Sequence, residues 1–336
     1  MKTKLIAEIS GNHLGSLEQC KELIRSAKHS GATTVKLQTY KAETMTLSLP
    51  NKDFLISDNH SLWGGRSLYE LYEEAHTPWE WHKELFELAL EIGIEIFSSP
   101  FDKTAVDFLE NLDIQMYKIA SMESGDIPLI KYIAKTQKPI IASTGSSTLE
   151  EIDELVDAVN SEGNKNLTLL LCTSAYPTPQ NQVHLARMNL LRERYGVPVG
   201  LSDHTLGNSA SLAAVAMGAT VIEKHFTLDR NQGGPDSAFS IEPKDLKELS
   251  IQINQIEEAV GKKEWKIQPD ESESRRLRRS LIIVSDVRNG EIVTESNVKS
   301  LRPSIGIAPK FFSEVLGKKF NADYKAGTAL TFEKLI

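Results

Sequence analysis

Two histidines in the stretch "VPVGLSDHTLGNSASLAAVAMGATVIEKHF", Val197 to Phe226, are spaced for shared chemistry. His204 and His225 each follow a short apolar run, and a helix-like stretch lies between them. If the two runs are neighbouring parallel strands, both imidazoles sit at equivalent ends and come within reach of one divalent cation. Neutral imidazole is the commonest protein nitrogen ligand and suits Zn, Mn, Fe or Co. Two protein ligands leave positions open for water and substrate, as a catalytic metal requires. The competing reading is that each histidine simply packs at a strand end. Their matching positions on adjacent runs favour the metal.

A second group is cationic and hydroxylic: Lys36, Lys118, Ser121, Ser143 and Ser202. A lysine inside an apolar run, as in "VKLQ" and "YKIAS", is costly without an anionic partner. Converging ammonium and hydroxyl groups would cradle a phosphate or carboxylate by charge-assisted hydrogen bonds. Any one serine reads equally well as a helix N-cap, Ser143–Thr144 included. A third group is acidic. Glu8, Glu123 and Asp236 can bind sugar hydroxyls or move protons, although the glutamates can also pair with the lysines. Gln38, Ser174, Tyr176, Asp203, Glu223 and Lys224 fall at similar places.

The elements that must position these groups are regular. Eight short, β-branched apolar runs occur at 5–10, 33–38, 94–99, 116–121, 139–144, 167–173, 197–202 and 220–225. Helical patterns lie between them at 16–29, 80–92, 102–111, 126–135, 148–160 and 207–217, with another after the last run at 244–261. Alternating strands and helices imply βαβ units and a parallel sheet. Eight such units in about 260 residues match the α/β (β/α)8 TIM barrel, whose active sites lie at the C-terminal strand ends. A doubly wound open sheet is the alternative. One connection, residues 39–79, is long enough to be functional. It carries Tyr40, Trp63, Tyr69 and Tyr72, so it can wall a pocket or be a packed insertion.

The barrel pattern predicts a domain over 1–262. The polar stretch 263–279 reads as a linker. Residues 280–336 read as a small, mostly β domain with turns at Gly290, Gly306, Gly317 and Gly327, near the lower size limit for independent folding. Charge follows the same division. Residues 277–336 hold ten Lys/Arg and six Asp/Glu, while the whole chain has a net charge of −8. An acidic body with a modestly basic tail argues against a general nucleic-acid binder. No apolar run reaches the roughly 18 residues of a membrane span, and "MKTKLIAEIS" is not patterned as a signal peptide. Cys20 and Cys172, far apart in helix- or strand-like segments, fit reduced thiols in a cytoplasm.

The segments "AEISGNHLGS", "VKLQTY", "SSPFD", "YKIAS", "STG", "SAYPTP", "GLSDHT" and "IEKHF", in this order, resemble the sialic acid synthase family. Its members make nonulosonic acids from phosphoenolpyruvate and an N-acetylated hexose. The resemblance covers nearly the whole chain and continues into a C-terminal antifreeze-like (SAF) domain. "WGGRSLYELYEEAHTPWEW" and "GGPDSAFSIEP" look like the pseudaminic acid synthase branch, which implies a 2,4-diacetamido-2,4,6-trideoxy-altrose co-substrate.

By motif, the resemblance implies that His204 and His225 hold a divalent metal, most often Mn²⁺, with Mg²⁺ or Co²⁺ as alternatives. It assigns Lys36, Lys118, Ser121, Ser143, Ser174, Tyr176 and Ser202 to phosphoenolpyruvate, and Gln38, Glu123 and Asp236 to the sugar. Glu8 matches a carboxylate that orients the attacking water, so Glu8, Lys36, Glu123, His204 and His225 are the expected catalytic set. The family forms a domain-swapped homodimer in which Arg302 would enter the partner's site. Two positions depart from the pattern: Ser174 and His184 each stand where an asparagine is expected. Phe239 is the expected apolar lining for the 6-deoxy end of the sugar. Within the family a neuraminate or legionaminate synthase is the alternative, and two readings of other classes compete. A barrel hydrolase would need more metal ligands than two, and a non-enzymatic sugar-binding protein has no need of buried lysines.

Overall fold

A computed structural model describes residues 2–49, 51–57 and 62–336. The chain divides into two compact units, Met1–Gly261 and Lys262–Ile336.

The first unit is a closed barrel of eight parallel strands in sequential order. They are β1 (Lys4–Glu8), β2 (Thr34–Thr39), β3 (Glu95–Pro100), β4 (Tyr117–Ile119), β5 (Ile140–Ser143), β6 (Leu167–Cys172), β7 (Val199–Ser202) and β8 (Val221–His225). Closure comes from β1 pairing with both β2 and β8. Glu8 is in register with Lys36 on one side and His225 on the other. Buried on both faces, such strands read as nearly continuous apolar runs. That is why every expected run falls within two residues of its strand at both ends.

The helices follow from amphipathic spacing and caps. In α1 (Leu17–His29), Cys20, Leu23, Ile24 and Ala27 form the buried stripe, and Ser16 caps the first turn. In the long connection, α2 (Ala42–Met45) and α3 (Leu68–Ala75) are both short. Next come α4 (His82–Ile92) and α5 (Lys103–Glu110), the latter capped by Asp102. α6 (Ile127–Ala134) is capped by Asp126. In α7 (Leu149–Ser161), Thr148 and Glu151 form a reciprocal capping box. α8 (Arg187–Tyr195), which the sequence pattern does not reveal, buries only Met188 and Leu191, so its periodicity is faint. α9 (Ser209–Ala216) and α10 (Pro243–Val260) complete the ring. Among the described residues no helix is long and apolar enough to cross a membrane. Cys20 and Cys172 are both buried and unpaired.

The second unit is built around two antiparallel strands, β9 (Ser280–Ile283) and β10 (Val298–Leu301), extended by isolated bridges such as Val287–Tyr324 and Phe320–Leu335. Leu281, Ile283, Val293, Val298, Phe320 and Leu330 form its own core. Gly306 lets three backbone segments meet: a Cβ there would lie 2.4 Å from the Leu281 carbonyl and 2.8 Å from that of Leu330. The stretch expected to be a bare linker contains a helix, α11 (Glu271–Arg276). All its residues are exposed, so it has no apolar stripe to announce it. Acidic residues in its first turn and arginines in its last complement the helix dipole.

Candidate active site

The C-terminal strand ends surround a cavity of about 370 Å³. Lys36, Gln38, Lys118, Ser121, Glu123, Ser143, Tyr176, Ser202, His204, His225 and Asp236 all line it. Strand alternation explains the set: residues i and i+2 share a face. Lys36 and Gln38 point inward from β2, and Glu223 and His225 from β8. Ser121 and Glu123 lie in a tight turn beyond β4 rather than on the strand itself.

The floor is an ionic network. Lys36 Nζ donates to Glu223 Oε1 at 2.8 Å and lies 3.2 Å from Glu8 Oε2. Lys118 Nζ donates to Ser143 Oγ at 2.6 Å and lies 3.9 Å from Glu223. Ser202 Oγ donates to the same Glu223 oxygen at 3.3 Å. Glu8 sits beneath the lining, accepting from Gln38 Nε2 at 2.9 Å. Burial pushes the Glu8 carboxyl upward, and Lys36 only partly offsets it. Burial also opposes the Glu223 charge, but Lys118 and Lys36 win and hold it low. At Lys36, Glu223 and Glu8 outweigh burial and hold the ammonium up. Lys118 has weaker compensation, so burial lowers it to about 8. Glu123 is raised to about 7 by burial, and its Oε2 has no hydrogen-bond partner.

Above the floor, the His204 and His225 ring centroids are 5.3 Å apart. His204 Nδ1 donates to the Thr173 carbonyl at 3.1 Å, which in the neutral ring fixes the tautomer with the lone pair on Nε2. Burial opposes charge on His204, but the neighbouring Cys172 holds its pKa up. Burial, with His204 and Lys36, holds His225 well below its ordinary value, so it is a neutral imidazole. Its Nδ1 has no hydrogen-bond partner and lies 3.8 Å from Asp236 Oδ2. This is a donor set suited to a divalent cation. Among the described residues no three His, Cys, Asp or Glu side chains cluster as a metal site. A cation held here would rest on the two imidazoles, with water and substrate completing its shell.

Gly145, just after β5, opens the cradle at one corner. A Cβ there would lie 2.3 Å from Ser174 Oγ and 2.7 Å from Ser121 Oγ, while its own amide donates to Ser121 Oγ at 3.1 Å. Ser174 is thus beside the cradle but lines a neighbouring depression rather than the main cavity. Arg302 lies in the second unit and is exposed.

Some functional positions carry a weak sequence signal. Glu223 stands out only through its parity with His225. Ser10 donates to Asp236 and accepts from Gln38 at 3.0 Å, linking the β1 and β8 loops. Nothing in its sequence context marks it. Lys224 and Asp203, equally prominent in sequence, face away from the cavity and pair with each other at 2.9 Å. Phe239 packs against His225 with ring centroids 4.9 Å apart, but it is not part of the lining, contrary to expectation. Most of the apolar lining comes instead from the 39–79 connection, which supplies Tyr40, Met45, Ile56, Trp63, Leu68, Leu71, Tyr72 and Ala75, while Phe101, Ala120, Met122 and Pro235 add to it from other loops. Residues 58–61 of this connection lie outside the described residues.

Known proteins resemble this chain in sequence and fold. The NeuB family profile matches residues 23–265, and a SAF domain profile matches 278–336. A pseudaminic acid synthase of Campylobacter jejuni is 45% identical over 98% of this chain and 95% of its own. An N,N'-diacetyllegionaminic acid synthase of the same species is 40% identical over 96% of this chain and 97% of its own. The crystal structure of an N-acetylneuraminic acid synthetase from Leptospira borgpetersenii, in complex with citrate, superposes with a TM-score of 0.73 at 29% identity, covering 82% of this chain and 90% of that one. Family profile, full-length relatives and barrel agree with the motif order read from the sequence: the chain belongs to the NeuB family.

Proposed function

We propose that this protein is a pseudaminic acid synthase. It condenses phosphoenolpyruvate with 2,4-diacetamido-2,4,6-trideoxy-β-L-altropyranose and water, releasing phosphate by C–O cleavage. The observation that carries the reading is 45% identity to a pseudaminic acid synthase across essentially the whole chain.

The chemistry asks for three things, and the site residues suit each. Phosphoenolpyruvate brings a phosphate and a carboxylate. Lys36, Lys118, Ser143 and Ser202 are donors for both, and holding them in reacting geometry supplies much of the rate. The sugar must present its aldehyde carbon. His204 and His225 would hold a divalent cation, Mn²⁺ by preference, which supplies Lewis-acid polarisation of a carbonyl oxygen. The C2=C3 electron pair of phosphoenolpyruvate forms the bond from carbon 3 to the aldehyde carbon, the carbonyl π bond breaks, and its oxygen takes up a proton to become a hydroxyl. Water adds at carbon 2, and the bond from carbon 2 to the phosphate oxygen breaks. Glu8, with its raised affinity for protons, is suited to orient that water and take its proton. Gln38, Glu123 and Asp236 line the same cavity and are suited to sugar hydroxyl and amide groups. The functional unit proposed is a domain-swapped homodimer, with Arg302 completing the partner's site.

The test is phosphate release from phosphoenolpyruvate with Mn²⁺, using either the trideoxy-diacetamido altrose or N-acetylmannosamine. Release with the first sugar alone is expected. Release with N-acetylmannosamine alone would move the protein to the neuraminate branch. Release with neither, in folded and metal-loaded protein, would overturn the assignment.

A further inference from the structure

The cavity is two-sided in its chemistry. Its floor is ionic, and the 39–79 connection gives it an apolar wall. Met45 at the end of α2, Ile56 and Leu68 at the start of α3 all line the cavity, and all three are only half-buried by protein. A set of partly uncovered apolar side chains facing a charged floor suits a ligand with one polar, reactive end and one apolar end.

The wall is built firmly enough to discriminate. Ile56 N donates to Arg66 O at 2.8 Å, and Gly65 N donates to Ile56 O at 3.0 Å, so this stretch folds back on itself. Trp63 Nε1 donates to the Pro235 carbonyl at 2.8 Å, tying the connection to the loop after β8. Trp79 Nε1 donates to the Tyr40 carbonyl at 3.2 Å, and the Tyr40 ring packs edge-on against Tyr72 and Phe101, with centroids 5.8 and 5.1 Å away.

We propose that Met45, Ile56 and Leu68 form the subsite for carbon 6 of the sugar and select a 6-methyl over a 6-hydroxymethyl group. The inference rests on the pseudaminate reading above. In an open-chain hexose the aldehyde and carbon 6 are at opposite ends. An aldehyde at the imidazoles therefore leaves carbon 6 to be met elsewhere in the cavity. An apolar wall leaves an added hydroxyl without a hydrogen-bond partner, and such a pocket discriminates by roughly 10- to 100-fold.

The experiment compares kcat/KM for the trideoxy-diacetamido altrose and for the same sugar carrying a 6-hydroxyl. Wild type is expected to favour the deoxy sugar by about 10-fold or more. The near-isosteric variants Leu68→Asn and Met45→Gln should each shrink that ratio by about threefold or more, mainly through the deoxy sugar. The KM for phosphoenolpyruvate should stay unmoved. Thermal melting identifies any variant that fails to fold, and Met45→Gln stands in if Leu68→Asn does. An unchanged ratio in a folded variant overturns the proposal. So does an equal loss with both sugars, which would mark the wall as scaffold. If wild type itself turns over neither diacetamido sugar, the pseudaminate reading falls and the inference with it; that failure shows before any variant is made.

Discussion

Glu223 serves two ammonium groups with one carboxylate, at 2.8 Å from Lys36 and 3.9 Å from Lys118. Lys118 is the less well served and has a pKa lowered to about 8 by burial. In the free protein Lys118 therefore loses its proton as pH rises through about 8. A bound anion favours the charged form, so above that pH binding takes up a proton. Phosphoenolpyruvate affinity should then fall as pH climbs, by up to roughly tenfold per unit. Titration calorimetry at pH 7 and pH 9 measures this, and a flat profile would remove Lys118 from the anion site. The histidines make a separate prediction. His225→Ala should reduce turnover by about a thousandfold or more, the scale of a lost Lewis acid, while circular dichroism shows the fold retained. Chelation of wild type should match it. Full activity in metal-stripped buffer would refute the metal role. The histidines and lysines were legible because a polar group within or at the end of an apolar run is conspicuous. Glu223 and Lys224 stand side by side, and which of them faces inward depends on strand parity, which needs His225 as a reference.

Lys224 shows what the outward parity does for the elements. Its Nζ reaches Asp203 Oδ2 at 2.9 Å and the carbonyls of Thr205 and Gly207 at 3.0 and 3.1 Å. This clamps the loop after β7, and hence His204, to β8. The Asp203 carboxylate also accepts from Ser211 Oγ at 2.5 Å, holding the start of α9. Both partners are buried, so removing one leaves a charge without its counterion. Asp203→Asn should cost about 3–5 kcal/mol, read from urea unfolding at pH 7. Burial opposes the Asp203 charge, but Lys224 and Ser211 outweigh it and depress the pKa. The pair's contribution is present above the unfolded aspartate pKa and is lost as pH falls through the lower folded one. Wild type and variant should therefore converge in acid, and a constant gap would show that the charge is not the cause. Strands and capped helices were readable because burial on both faces and caps such as Thr148–Glu151 leave local patterns. α3 and α8 were not. α3 carries a stripe at Leu68, Leu71, Tyr72 and Ala75 that the irregular residues before it obscure, while α8 buries only Met188 and Leu191, too few to make one. Here contact with the rest of the barrel, not the local sequence, decides the helix.

At the scale of the molecule, the change of texture after residue 261 coincides with the division between the two units, because the stretch that follows is polar and charged and leaves its few apolar residues, Trp265, Ile267 and Leu277, exposed rather than in a core. In the proposed dimer the small unit would act on the other chain, a relation for which a single sequence holds no local signal. The proposed swapped dimer makes that relation testable. Arg302 carries a charge on an exposed segment of the second unit, while His225 stands in the barrel. If each site takes its barrel from one chain and Arg302 from the other, Arg302→Ala and His225→Ala damage complementary halves. A homodimer of either variant has two impaired sites. A mixed dimer has one site that loses both groups and one that keeps both. Random pairing of equal amounts gives half mixed dimers, so co-expressed variants should regain roughly a quarter of wild-type phosphate release. If Arg302 served its own barrel, every site in the mixture would lack one group and no activity would return. A chain acting as a monomer gives the same null result, and sedimentation of the wild type separates that case from a dimer without exchange.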